Sequence, residues 1–167
     1  MIRSHTLALA AGLAAFTSVN AFAQALPTES HKVLTADLAV EAAQAAIAAC
    51  KQQGYNVSVT VADREGNPKV FIVRDGPRGV GPEVTLRKAY TAAMQRVSTA
   101  DFGKRISQPN AFNPGQFDAK LSPGAGGVPI KVGDDTIGGI AAAGAPGGDK
   151  DEACAIAGLN KIKDRLN

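Results

Sequence analysis

The stretch YNVSVTVADREGNPKVFIVR, Tyr55 to Arg74, decides the fold. Val57, Val59 and Val61 alternate with Ser58, Thr60 and Ala62, and this period of two predicts a strand with one buried face. Asp63-Arg64-Glu65-Gly66-Asn67 supplies turn chemistry, and Lys69 to Arg74 is a second apolar run. The pair reads as an antiparallel hairpin.

Upstream, the period is helical. Thr35 caps a predicted helix whose core stripe is Ala36, Val40, Ala43, Ile47 and Cys50, and Gly54 stops it. Its alanines suit close approach to another helix or sheet. Downstream, Asp75 to Pro82 is loop, and a second helix begins near Glu83 with the stripe Leu86, Ala89, Tyr90, Ala93, Met94 and Val97. Arg87, Lys88, Gln95 and Arg96 fall off that stripe. Ser98 to Asp101 resembles a capping box, so the helix breaks there and a short one restarts, reaching Ile106. Gln108 to Gly124, with three prolines and Phe112 and Phe117, reads as a long ordered loop of the kind that often serves binding or assembly, with disorder as the alternative.

A second hairpin follows, Val128 to Val132 and Thr136 to Ala143, turning at Gly133-Asp134-Asp135. The run Ile137-Gly138-Gly139-Ile140-Ala141-Ala142-Ala143 leaves little side chain on its strand, so a helix, a ligand or a second subunit must approach it closely. Asp149 is the expected cap of a last helix with the stripe Ala155, Leu159, Ile162 and Leu166. The order α-β-β-α-β-β-α describes an α+β domain of three layers, an antiparallel sheet covered by helices, rather than a parallel nucleotide-binding fold.

The start of the chain has another purpose. Arg3 and His5, the apolar run from Leu7 to Val19, and Ala21-Phe22-Ala23 form the three parts of a cleavable secretory signal, residues 1–23. The apolar run is too short for a membrane anchor, so the expected product is a protein of the periplasm or the secreted space, cut after Ala23. Residues 24–33 read as a flexible leader, and residues 34–167 as one domain. The 18 Lys and Arg against 15 Asp and Glu leave too little positive charge to predict nucleic acid or an anionic membrane as partner.

Export bears on the cysteines. Cys50 and Cys154 either pair in an oxidising compartment or stay as buried thiols, and an antiparallel arrangement of the first and last helices would bring them together. His31, in the leader, is the only histidine outside the signal, so the folded region builds no Ser-His-Asp or Cys-His set and no metal site is expected. Arg74 and Arg78 flank the loop before the second helix, and guanidinium forks suit carboxylates, although a solvated strand end explains them too. Gly124-Ala125-Gly126-Gly127 is either a turn into a strand or a backbone cradle for a carboxylate. The acids Asp134, Asp135, Asp149, Asp151 and Glu152 are read as turn formers and helix starters.

Val57 to Asp63 with Gly66-Asn67 and Arg74-Asp75-Gly76 resembles the first half of the GlcG/HbpS family of heme-binding-like proteins, related to the C-terminal domain of PduO-type proteins. Lys88 to Ala93, Gly126 to Ile130, Ile137 to Gly144 and Asp151 to Cys154 are similar to its later pieces, in the same order and spacing. The resemblance implies a profilin-like domain, assembly into a homo-oligomer, and binding of heme or a related tetrapyrrole. For such a ligand, position and charge make Arg74, Arg78, Arg87 and Lys88 the candidate propionate partners, with Gly124, Gly126 and Gly127 as a candidate wall. Tyr90 joins them as a possible ligand contact against the plainer reading that it fills the core. Ligand binding without turnover is the leading expectation. An accessory subunit without ligand, or an enzyme acting on heme or a small organic acid, are the alternatives.

Overall fold

A computed structural model describes residues 31–76 and 82–166. The expected signal and cleavage site, most of the expected leader and Arg78 lie outside the described residues. Among these residues four α-helices and four strands follow in order: α1 Ala36–Gln52, β1 Ser58–Asp63, β2 Pro68–Ile72, α2 Glu83–Gln95, α3 Thr99–Ile106, β3 Gly127–Val132, β4 Asp135–Ala143 and α4 Gly148–Ile162. The strands form one antiparallel sheet in the order β2-β1-β4-β3. Helices α1 and α4 pack together on one face, and α2 lies across the other. The fold is the expected α+β arrangement of three layers, with α3 as the short helix after the break.

Strand parity sorts the core. Val57, Val59, Val61, Ile140 and Ala142 belong to the large cluster beneath α1 and α4, whereas Ala62 and Ala141 meet Ala89 of α2. The alternation in β1 therefore does not separate core from solvent. Ser58, Thr60 and Ala62 are buried as fully as the valines, because α2 covers them and the Thr60 hydroxyl meets that of Thr85 at 2.9 Å. A half-buried strand becomes one buried on both sides.

Small residues decide how closely the layers approach. A Cβ on Gly139 would lie 2.4 Å from the Ala89 carbonyl oxygen, and one on Gly158 would lie 2.4 Å from that of Ala42. The tight partner of the glycine strand is thus helix α2. The same closeness rotates the helix faces from their expected stripes. In α1 the buried face is Ala39, Ala42, Ala43, Ala46 and Cys50, while Ala36 and Val40 are exposed. In α2, Thr85, Lys88, Ala89, Ala92 and Ala93 turn inward and Met94 turns out. Bulky residues cannot occupy the closest approach, so the small side chains take it.

Thr35 caps α1 through the Leu38 amide, and Ser98 caps α3 through that of Asp101. Asp149 does not cap α4. The helix starts two residues earlier, after Gly147, which leaves Asp149 in the first turn, where its charge still complements the helix dipole. Cys50 and Cys154 form a disulfide between α1 and α4, across a sequence separation of 104 residues. Closing a loop of that length removes unfolded-chain freedom worth about 5 kcal/mol in the chain-entropy estimate.

Candidate functional site

A cleft of about 260 Å³ opens where the β1–β2 turn, α2 and the loop after α3 converge. Its lining includes Gly66 and Pro68 from the hairpin, Leu86, Arg87 and Tyr90 from α2, and Lys120 from the loop. The hairpin reaches α2 because Gly66, at φ +80°, has no side chain; a Cβ there would lie 2.3 Å from the Tyr90 ring. Tyr90 therefore packs closely against the turn as part of the cleft, and is only partly buried.

The loop forms the opposite wall. Tyr90 donates its hydroxyl hydrogen to Asp118 at 2.7 Å, and Arg87 donates to the Leu121 carbonyl at 2.8 Å. Lys120 Nζ stands 5.3 Å from the centre of the Tyr90 ring, a cation over an aromatic face. The hydrogen bond to Asp118, reinforced by burial and by the negative charge, pushes the Tyr90 phenol above its ordinary range. Asp118 is held below the usual carboxylate range by that same hydroxyl and then by the Lys120 amide. Tyr90 thus stays a neutral phenol and Asp118 an anion. The cleft presents two cations against one lining carboxylate, Glu65, together with an aromatic ring and the apolar Leu86 and Pro68, a combination suited to a flat molecule with a carboxylate edge on the side of Arg87 and Lys120.

Lys88, predicted to face a ligand, is instead sealed in the interior. Its Nζ lies 3.0 Å from Asp151 Oδ2, both side chains are 7% exposed, and it also donates to the Ala142 carbonyl at 3.4 Å. Asp151, read as a helix starter, uses its other oxygen to accept from the Ala145 amide. The glycine turn closes over this pair: a Cβ on Gly126, at φ +126°, would lie 2.7 Å from Lys88 Nζ. Gly127 is pressed against the Lys88 carbonyl and donates its amide hydrogen to the Thr99 hydroxyl. Gly124 borders the Lys88 side chain at ordinary contact distance. Gly124, Gly126 and Gly127 therefore cover an internal ion pair and do not line the cleft.

Arg74 is also elsewhere. It lies beyond the end of β2 remote from Pro68, with its guanidinium donating to the Asn56 carbonyl and its amide to the Ser58 hydroxyl. Of the predicted ligand residues described, the fold gathers only Arg87 and Tyr90 at one cleft. Asp118 and Lys120 complete it. Both sit in the proline-containing loop, where no periodicity marks one residue above another. Among the described residues, no cluster of three or more His, Cys, Asp or Glu side chains could hold a metal ion.

Comparison with known proteins agrees with the fold. A family model described as "Haem degrading protein HbpS-like" matches residues 34–160. No curated protein matches the chain. The crystal structure of HbpS is 35% identical, with a TM-score of 0.73, covering 80% of this chain and 92% of that one. A double mutant of HbpS from Streptomyces reticuli is 34% identical, with a TM-score of 0.71, covering 81% of this chain and 96% of its own. A PduOC:heme complex, 21% identical, covers 78% of this chain and 96% of its own with a TM-score of 0.67, which shows likeness of fold.

Proposed function

This chain belongs to the HbpS-like family, and from that premise we propose that it binds heme or a related tetrapyrrole at the cleft beside α2 without turning it over. The observation that carries the reading is the pairing of Arg87 and Lys120 with the flat face of Tyr90. Guanidinium and ammonium groups suit propionates, and an aromatic face suits a macrocycle.

The lining fits the edge of such a ligand better than its iron. The cleft is lined by no histidine, cysteine or methionine, and its volume is smaller than the roughly 300 to 1,000 Å³ of pockets that engulf a ligand. A tetrapyrrole would be gripped at one side, with the rest of its face open. Homo-oligomerisation would cover that face. The loop carries a stacked pair for such a contact, Phe112 and Phe117, 71% and 79% exposed.

Export belongs to the same proposal. The signal-like residues 1–23 and a disulfide with both cysteines fully buried suit an oxidising compartment. The product would then meet its ligand in the periplasm or outside the cell, away from cytosolic reductants, which favours binding over breakdown.

Titration with hemin and with metal-free protoporphyrin IX tests the reading. Saturable binding of both, with similar affinity, is expected if the edge and face are what the protein holds. Binding that never saturates would dismiss it. The family's description favours a second reading, oxidative breakdown; loss of the bound heme spectrum on adding a reductant in the presence of dioxygen, with release of open-chain product, would establish that instead.

A further inference from the structure

Three side chains of α2 clasp the loop that walls the cleft. Arg87 holds the Leu121 carbonyl, Tyr90 holds Asp118, and the Thr91 hydroxyl accepts the Ser122 amide hydrogen at 2.8 Å. Arg87 and Tyr90 also line the cleft. Thr91 does not, and it is completely buried. Its geometry is nevertheless the most constrained of the three. The Thr91 hydroxyl gives its own hydrogen to the Arg87 carbonyl one turn back, at 2.7 Å, so its oxygen is left to accept from Ser122 in one direction.

Lys120 sits between the clasped positions 118 and 121, and its own amide is tied to Asp118 Oδ1 at 2.9 Å. With the Asp118 carboxylate held, and the backbone held at 121 and 122, the origin of the Lys120 side chain is held as well. We propose that Thr91 is a positioning residue for the cleft: by fixing the Ser122 amide it sets the place of Lys120 and the width of the opening that meets the ligand. This rests on the cleft being the ligand site.

Thr91→Val keeps the shape of the side chain and removes the hydroxyl, leaving a partly buried amide without its acceptor. The Kd for hemin is expected to rise about tenfold, the ratio that corresponds to one such hydrogen bond. Hydrogen exchange of the Ser122 amide should quicken, and Thr91→Ser should restore both. Thr99→Val is the control, because it breaks a comparable hydroxyl–amide bond, to Gly127, away from the cleft. It should lower stability and leave the Kd unchanged.

Thr91→Val binding hemin as tightly as the wild type, with Ser122 exchange quickened, would overturn the proposal and leave the ligand reading intact. Equal weakening by Thr99→Val would also overturn it, by showing that stability alone governs affinity. Failure of the wild type to bind saturably would remove the ligand reading and the proposal together. The wild type supplies an arm that needs no variant: hemin should slow exchange at Ser122, and no change there would count against a clasped wall.

Discussion

Arg87 and Lys88 are sequence neighbours and both cations, yet α2 turns one to the cleft and the other into the interior. Arg87 is exposed, with one bond to a loop carbonyl. Lys88 reaches past the sheet to Asp151 of α4 and is closed over by Gly126. Charge and position along the chain do not distinguish them. The difference is that α4 supplies a carboxylate to one and nothing to the other. A buried ammonium needs its partner in place, whereas an exposed guanidinium can exchange a protein carbonyl for a ligand.

The sharpest way to break this contrast is Lys88→Met, which leaves Asp151 buried without its cation. Stability read by urea unfolding should fall by about 3–5 kcal/mol, the usual cost of stranding a buried charge. The double variant Lys88→Met with Asp151→Leu should recover much of that loss, and the Kd for hemin should stay within about twofold in either variant that folds. A Lys88→Met protein that unfolds normally but has lost hemin would reverse the roles assigned to the two cations.

Arg87→Met is the complementary test and a smaller perturbation. Hemin affinity should weaken by roughly tenfold or more, since a hydrogen bond to a charged group contributes about 1.5–3 kcal/mol, while stability changes by about 1 kcal/mol. If stability falls and affinity does not, Arg87 serves the loop alone.

The mildest effect concerns pH. Asp118 is held below the ordinary aspartate value of about 3.9, so its contribution is complete above that value and is lost as the pH falls through the lowered one. Hemin affinity should therefore keep the Asp118 contribution from neutrality down to about pH 4 and lose it below as the clasp on Tyr90 is protonated. Asp118→Asn should remove the decline attributable to this group. Asp135, held low chiefly by its hydrogen bond with Arg64, acts in the same range and should be unaffected by that substitution.

The elements were legible in the residues because each had a local cause. The valine alternation of β1, the caps at Thr35 and Ser98, and Gly54 and Gly66 at positive φ are short-range features. The helix faces were less legible. A stripe of large apolar residues, with Met94 on it and Lys88 off it, presumes that burial goes to bulk. In this fold the closest contacts go to Ala89, Ala92 and Ala93, and Lys88 comes inward because Asp151 awaits it 63 residues away. The site was half legible for the same reason. Arg87 and Tyr90 belong to a recognisable helix, whereas Asp118 and Lys120 gain their meaning from contacts that no local pattern announces.

The Cys50–Cys154 bond has a topological consequence. Together with the peptide backbone it makes residues 50 to 154 a closed covalent ring, from which the two ends of the chain emerge as tails. A protease that cuts anywhere within that ring, whether between β2 and α2 or in the loop carrying Phe112 and Phe117, would open it without producing two molecules. The cut protein would migrate as one species until reduced, and the sheet, whose four strands all lie inside the ring, would keep its parts tethered for reclosure.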